Sequence, residues 1–354
     1  MRTLKYKDAI SEGLVQAMEA DENVFVIGIS VNYSSKCFGT TKEAAERFPD
    51  RVITTPACEN ALTGICIGAA AMGKRPVIVH DRADFSFLAA DQLINLAAKY
   101  SYMYGGNAGH VPVVTRMIIG KGWGQGATHS QALHSLYGHF PGLAVAMPST
   151  PHSAFWVTKY ALEANHPTVI LEHRSLFETA NEVYDADVGI GSRTHTPMSV
   201  IGPEKFMKLP DPTLTVVATS AMVTEACVAS DTLADMGVTI DIVDPVYIRP
   251  LDDSHILESV RKTGRLLVCD VSHELCGFAS EISATVAEKA FDALKGPIRR
   301  LTLPDCPTPT AKSLEDAFYP TASTIVGVVL DMLGREVPEG LSAIDRVDGF
   351  KGPY

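Results

Sequence analysis

The sequence contains no run of basic residues, and its formal net charge is −11. A nucleic-acid surface needs clustered lysine and arginine, so the charge argues against that class of partner. No stretch is apolar and long enough to span a bilayer. The opening residues, Met1-Arg2-Thr3-Leu4-Lys5-Tyr6-Lys7-Asp8, lack the apolar core of a signal peptide. Cysteine forms no ladder of spacings, and its seven copies are an odd count, which argues against a disulfide framework and fits a reducing cytoplasm. Cys58 and Cys66 lie in apolar surroundings and read as small core residues. Cys269, His273 and Cys276 match no usual zinc spacing, so no metal cluster is expected there. Phosphate loop and dinucleotide fingerprint are missing too. In Gly120-Lys121-Gly122-Trp123-Gly124-Gln125-Gly126 the lysine is followed by glycine rather than serine or threonine.

What is present is an ordinary globular composition, 46 % apolar and 20 % charged, over 354 residues, enough for two domains with cores of their own. An amphipathic helix is expected over residues 5–20. Short apolar runs follow it: Val24-Phe25-Val26-Ile27-Gly28, Val52-Ile53-Thr54, Pro76-Val77-Ile78-Val79, Val113-Val114-Thr115-Arg116, Leu143-Ala144-Val145-Ala146 and Val169-Ile170-Leu171-Glu172. Helical windows separate them. In one, Leu93, Leu96, Ala97 and Tyr100 keep the spacing of a buried helix face. Continuous apolar strands alternating with helices predict an α/β fold, with parallel sheets covered on both faces. The pattern lapses over 185–212, which reads as an interdomain linker. It resumes with strands at 214–219, 239–243, 266–270 and 298–303. Helices are expected at 222–236, 254–262 and 278–291, with a last one ending near Leu333. The expected division is a first domain over 1–184, a second over 213–335, and a tail, 336–354, that is either disordered or laid on a partner.

The most informative stretch is Thr54-Thr55-Pro56-Ala57-Cys58-Glu59-Asn60, which leads into a helix of small and apolar residues. Two readings of Glu59 stand. One is a favourable charge at a helix N-terminus. The other is a buried acid held for chemistry.

A run of motifs resembles the beta subunit of the thiamine-diphosphate-dependent decarboxylating component of 2-oxo acid dehydrogenase complexes, a group related to transketolase. The resemblance covers roughly residues 4–333 and rests on order and spacing together. It is carried by Thr55-Pro56-Ala57-Cys58-Glu59, Ala83-Asp84-Phe85, Asp91-Gln92-Leu93-Ile94-Asn95, Thr128-His129-Ser130-Gln131, and Pro141-Gly142-Leu143 through Pro148-Ser149-Thr150-Pro151. Arg249-Pro250-Leu251-Asp252, Lys262-Thr263-Gly264-Arg265-Leu266 and Leu314-Glu315-Asp316 continue it.

The resemblance implies a pyrimidine-binding domain followed by a transketolase C-terminal-like domain. It implies that Glu59 bonds to the pyrimidine ring of thiamine diphosphate and so promotes loss of the reactive thiazolium proton. Phe85 would stack on that ring. On the residues alone, Phe85 reads as a core phenylalanine. His129 would face the substrate, stabilising an oxyanion or passing a proton to the acyl acceptor. His134 and His139 read as structural or surface residues. The superfamily holds diphosphate and magnesium through a Gly-Asp-Gly motif closed by asparagine, using oxygen ligands. This chain has no Gly-Asp-Gly. It therefore reads as half an active site, completed by an alpha-type subunit in a two-plus-two heterotetramer, with magnesium held mainly by that partner. A lipoyl acyltransferase is a further partner of such complexes.

Two departures stand out. Where relatives carry an acid of a polar relay after the glycine ending the first strand, this chain reads Gly28-Ile29-Ser30-Val31. Before Phe85, where apolar residues are common, it reads His80-Asp81-Arg82-Ala83. Arg82 there either holds a substrate carboxylate or phosphate or forms a surface ion pair with Asp81. The expected function is a beta-type dehydrogenase subunit. Its rivals are a split transketolase-like carbon–carbon ligase acting on a polar or phosphorylated substrate, and a non-catalytic assembly subunit.

Overall fold

The computed structural model describes residues 2–33, 35–121, 124–184, 204–207 and 211–345. These fall into two compact units. The first comprises Met1–Gly120, Thr128–Gly202 and Tyr247–Pro250; the second comprises Lys121–Ala127, Pro203–Val246 and Leu251–Tyr354.

The first unit runs β1 (Arg2–Lys5), α1 (Tyr6–Ala20), β2 (Val24–Gly28), α2 (Lys42–Arg47), β3 (Val52–Thr54), α3 (Glu59–Ala71) and β4 (Arg75–His80). It continues through α4 (Tyr100–Met103), β5 (Val114–Ile119), α5 (His134–Gly138), β6 (Ala144–Ala146), α6 (Pro151–Glu163), β7 (Thr168–His173) and β8 (Ala180–Val183). Every residue of β5, β6 and β7 is buried. That explains their continuous apolar character, since a strand covered on both faces has no polar side to alternate with. Strands β6, β7, β5, β4, β2 and β3 lie side by side and parallel. Helix α1 packs on α6. Thr150 caps α6, its hydroxyl accepting from the Ser153 amide, while Pro151 fills the first helical position, where no amide hydrogen is needed. Two short strands were not foreseen: β1 and β8 pair antiparallel, from Arg2 opposite Val183 to Lys5 opposite Ala180.

The second unit contains β9 (Glu204–Met207), β10 (Leu214–Ala218), α7 (Ala221–Asp235), β11 (Ile240–Asp244), α8 (Ser254–Thr263), β13 (Leu266–His273), α9 (Phe278–Lys289), β14 (Arg299–Leu303), α10 (Lys312–Phe318) and α11 (Ala322–Met332). Between β11 and α8, β12 (Tyr247–Arg249) belongs to the first unit and pairs antiparallel with β6 as the outer strand of its seven-stranded sheet. The second sheet has the order β14-β13-β10-β11-β9, with only β9 antiparallel. Strand β9 lies within the expected linker; residues 185–203 and 208–210 of that linker lie outside the described residues. In the expected tail, the Asp345 carboxylate accepts from the Ser323 amide and hydroxyl at the first turn of α11, at 2.8 and 2.7 Å.

Three expectations are corrected. Segment Gln92–Ala97 is wound as a π-helix. Its wider turn keeps Leu93, Ala97 and Ala98 buried and leaves Leu96 40 % exposed, so the buried face does not follow the spacing of an α-helix. Cys58 is exposed rather than a core residue, because it precedes the first turn of α3, whereas Cys66 is fully buried. Arg82 is 2 % exposed, so it is no surface residue. Among the described residues, no helix is long and apolar enough to cross a membrane, and no cluster of histidine, cysteine or carboxylate side chains is placed to hold a metal.

Candidate functional site

In open parallel sheets, ligands bind where the strands end at their carboxyl termini. In the first unit that edge is set by register. Gly28 is paired with Thr54 and with Val79, His80 with Met117, and Ile119 with His173. The loops after β2, β3, β4, β5 and β7 therefore emerge together. Glu59, Arg82, Phe85 and His129 all follow one of these strand ends.

Glu59 is placed by helix periodicity. It heads the stripe Glu59, Thr63, Cys66, Ile67 and Ala70, the buried side of α3. Cys66, Ile67 and Ala70 pack with Ile27, Ile78, Ala97, Val111 and Val113 in one apolar cluster. The first residue of that stripe is thus carried to the strand ends with only 8 % of its surface exposed. Among the described residues no hydrogen bond or ion pair engages its carboxylate. At Gly64 the small residue allows close packing: a methyl group there would come within 3.3 Å of Gln92 Oε1.

Phe85 lies in the turn Ala83–Ala89, against which α3 packs. Its ring meets the His129 imidazole edge to face, with centroids 5.2 Å apart. Residues 44 positions apart in the chain are thereby joined. The Thr128 hydroxyl lies 2.9 Å from His129 Nδ1. A partner on Nδ1 leaves Nε2 as the nitrogen available for chemistry. Three further hydrogen bonds flank the ring pair. Asp84 Oδ1 accepts from Gln131 Nε2 at 2.8 Å and from its amide at 3.4 Å, and the Ser86 and Tyr137 hydroxyls share a hydrogen at 2.7 Å.

Arg82 and a second guanidinium, Arg174, are both buried at this edge. Arg174 sits 4.6 Å from the Phe38 ring centroid and 4.8 Å from that of Phe177. Burial, together with the neighbouring charge of Arg82, pulls the Arg174 guanidinium down to about 10. Burial also lowers the His80 imidazole to about 4, so it is neutral at pH 7. Asp81 accepts from the Ser30 hydroxyl at 2.7 Å and from the Cys37 thiol at 3.6 Å. An acid from the end of β4 thus reaches the loop at Ile29, which lacks one of its own. Behind the edge, Arg116 and Glu172 form a fully buried two-pronged ion pair, at 2.6 and 2.8 Å, between adjacent strands. At Gly120, whose φ is +77°, an added Cβ would fall 2.0 Å from His173 Nε2, so only glycine fits between these strand ends.

Sequence reasoning missed Arg174, the Asp84–Gln131 bridge and the Arg116–Glu172 pair. The last two join residues 47 and 56 positions apart, and no local pattern reports such pairs. Alternation could have flagged Arg116 and Glu172, since each is a charge inside an otherwise apolar strand.

Two family descriptions match this chain: transketolase, pyrimidine binding domain, over residues 2–179, and transketolase, C-terminal domain, over residues 207–325. The acetoin:2,6-dichlorophenolindophenol oxidoreductase subunit beta of Cupriavidus necator is 36 % identical over 334 residues, covering 92 % of this chain and 96 % of its own. The mitochondrial pyruvate dehydrogenase E1 component subunit beta-2 of Oryza sativa is 34 % identical over 347 residues, covering 97 % of this chain and 89 % of its own. A solved structure described as a split gene transketolase, inactive beta4 tetramer, superposes with a TM-score of 0.70 at 20 % identity, covering 94 % of this chain and 98 % of its own. At that identity it reports the fold alone.

Proposed function

Since the chain belongs to the transketolase-type family of dehydrogenase E1 beta subunits, we propose that it supplies the pyrimidine-side half of a thiamine diphosphate site shared with an alpha-type subunit. The observation that carries this reading is the joint placement of Glu59, Phe85 and His129 at one sheet edge. The residues fit the cofactor. Glu59 offers a nearly buried carboxylate without a partner among the described residues, suited to a ring nitrogen. Phe85, partly exposed, offers an aromatic surface for a flat heterocycle. Bound there, thiamine diphosphate would supply the carbon nucleophile and the electron sink for cleaving a bond beside a carbonyl.

Glu59 then holds the proton balance of the pyrimidine side. His129 Nε2 donates to, or takes a proton from, the substrate oxygen as charge develops there. The diphosphate and magnesium are assigned to the alpha partner, in a two-plus-two assembly, because this chain carries no Gly-Asp-Gly. Exposed apolar residues support a partner. Ile65 on the outer face of α3 and Met72 just after its end are 58 % and 85 % exposed, and Tyr102 is 91 % exposed. A lipoyl acyltransferase as acceptor and a cytoplasmic location belong to the same proposal.

His129→Ala tests it. In the assembled enzyme the variant should bind cofactor normally and keep exchange of its reactive proton, while turnover falls about 10²–10⁴-fold, the range for a lost acid–base group. Exchange and turnover both at wild-type levels would remove His129 from the role.

Arg82 and Arg174, buried together, favour a second reading, a split transketolase-like ligase taking a phosphorylated substrate. Arg82→Ala separates the two. With a 2-oxo acid whose side chain is small and apolar, KM should hardly change. With a sugar phosphate, losing a charge-assisted contact should cost roughly 1.5–3 kcal/mol, about ten- to a hundredfold in kcat/KM. Steady-state kinetics across both substrate classes, with lipoamide and aldehyde acceptors, reads the difference.

A further inference from the structure

We propose that Asp84 is a positioning residue that sets the His129 imidazole against Phe85 by gripping Gln131. The inference rests on the reading of His129 given above. Asp84 directly precedes Phe85, and Gln131 lies two residues after His129, so one bridge spans both members of the ring pair. Neither loop is rigid by itself. Ala83–Ala89 is a short 3₁₀ turn, and residues 129–133 have no helix or strand. The Ser86–Tyr137 bond holds the Phe85 side to α5 and does not reach the His129 loop. Gln131 is gripped twice by one oxygen, through side chain and amide, which fixes its backbone as well as its amide group.

The other carboxylate oxygen is not engaged by any described residue. Asp84 Oδ2 is buried and has no hydrogen-bond partner among the described residues. The hydroxyl of Ser130, which stands between His129 and Gln131 in the chain, is likewise buried and without a partner among the described residues. Leaving a carboxylate oxygen dry and unbonded is unfavourable, and native folds keep such groups rarely. Stability alone would be served by an amide, which offers Gln131 the same acceptor without the charge. What the geometry of the neighbouring pair requires is the acceptor at Oδ1, which a carboxylate and an amide both supply. Small displacements of a catalytic group are costly in rate.

Two variants separate acceptor from shape. Asp84→Asn keeps an oxygen for Gln131; Asp84→Leu removes it while keeping the branched shape. In the assembled enzyme the Leu variant should lose about ten- to a hundredfold in kcat, with cofactor proton exchange and donor KM little changed, and the Asn variant should stay within about twofold of wild type. A second readout needs no activity. In histidine-labelled protein, the His129 ring signals, identified with His129→Gln, carry the ring-current shift of Phe85. They should move in Asp84→Leu and stay in Asp84→Asn. Gln131→Leu, which removes the 2.8 Å side-chain bond and leaves the longer 3.4 Å amide contact, tests the stronger half of the grip should Asp84→Leu not fold. Unmoved His129 signals in folded Asp84→Leu or Gln131→Leu protein overturn the proposal, as does an equal loss of proton exchange and turnover. If wild-type protein with its partner shows no thiamine-dependent turnover, the functional reading fails, while the ring signals still decide whether Asp84 positions His129.

Discussion

Replacing Glu59 by glutamine is expected to leave fold and assembly intact and to slow exchange of the cofactor's reactive proton by about 10²–10⁴-fold. Fold should survive because the side chain keeps its size and α3 is held elsewhere. Cys66, Ile67 and Ala70 anchor the helix in the core, and the Thr63 hydroxyl bonds the Glu59 carbonyl, a backbone group unchanged by the substitution. Exchange should fail because only an acid can hold a ring nitrogen in its protonated form by moving between its own protonation states. An amide offers a fixed donor and a fixed acceptor. The 8 % exposure of Glu59 matters here, since a nearly dry carboxyl interacts more strongly with a bound ring than one in water. Rapid-quench hydrogen–deuterium exchange followed by proton NMR measures the rate, and circular dichroism checks the fold. Near-normal exchange in the assembled variant would take Glu59 out of its assigned role and return it to the simpler reading of a charge at a helix terminus.

Much of the fold was legible because burial on both faces writes a strand as an unbroken apolar run. Val24-Phe25-Val26-Ile27-Gly28 and Val169-Ile170-Leu171-Glu172 carried that signal, and both lie within strands of the first sheet. Edge elements were not legible. Strand β12 has three residues and pairs with β6, about a hundred positions earlier, so only tertiary contact defines it. The π-wound segment defeated a rule that assumes α-helical spacing, which is why Leu96 is outside and Ala98 inside. Cys58 was misread because apolar neighbours in sequence do not bury a residue standing ahead of a helix.

The candidate site divides the same way. Glu59 and His129 could be named because each stands in a short motif, and Glu59 also heads a periodic stripe. What fastens them could not be named. The edge-to-face contact of Phe85 with His129 and the grip of Asp84 on Gln131 join two loops that only the sheet brings together. Arg82 stood out in the sequence as a charge before Phe85, but its burial did not. Its surroundings, with Arg174 held between Phe38 and Phe177, depend on three separate segments.

The central claim is that this chain holds half of a shared cofactor site. Titration calorimetry of thiamine diphosphate with magnesium tests it most directly, using the purified chain alone and again with its alpha partner. On the proposed division the alpha partner supplies the diphosphate and metal ligands, so the chain alone should give weak binding or none and no turnover. Addition of the partner should produce stoichiometric binding. Tight stoichiometric binding to the isolated chain would contradict the account.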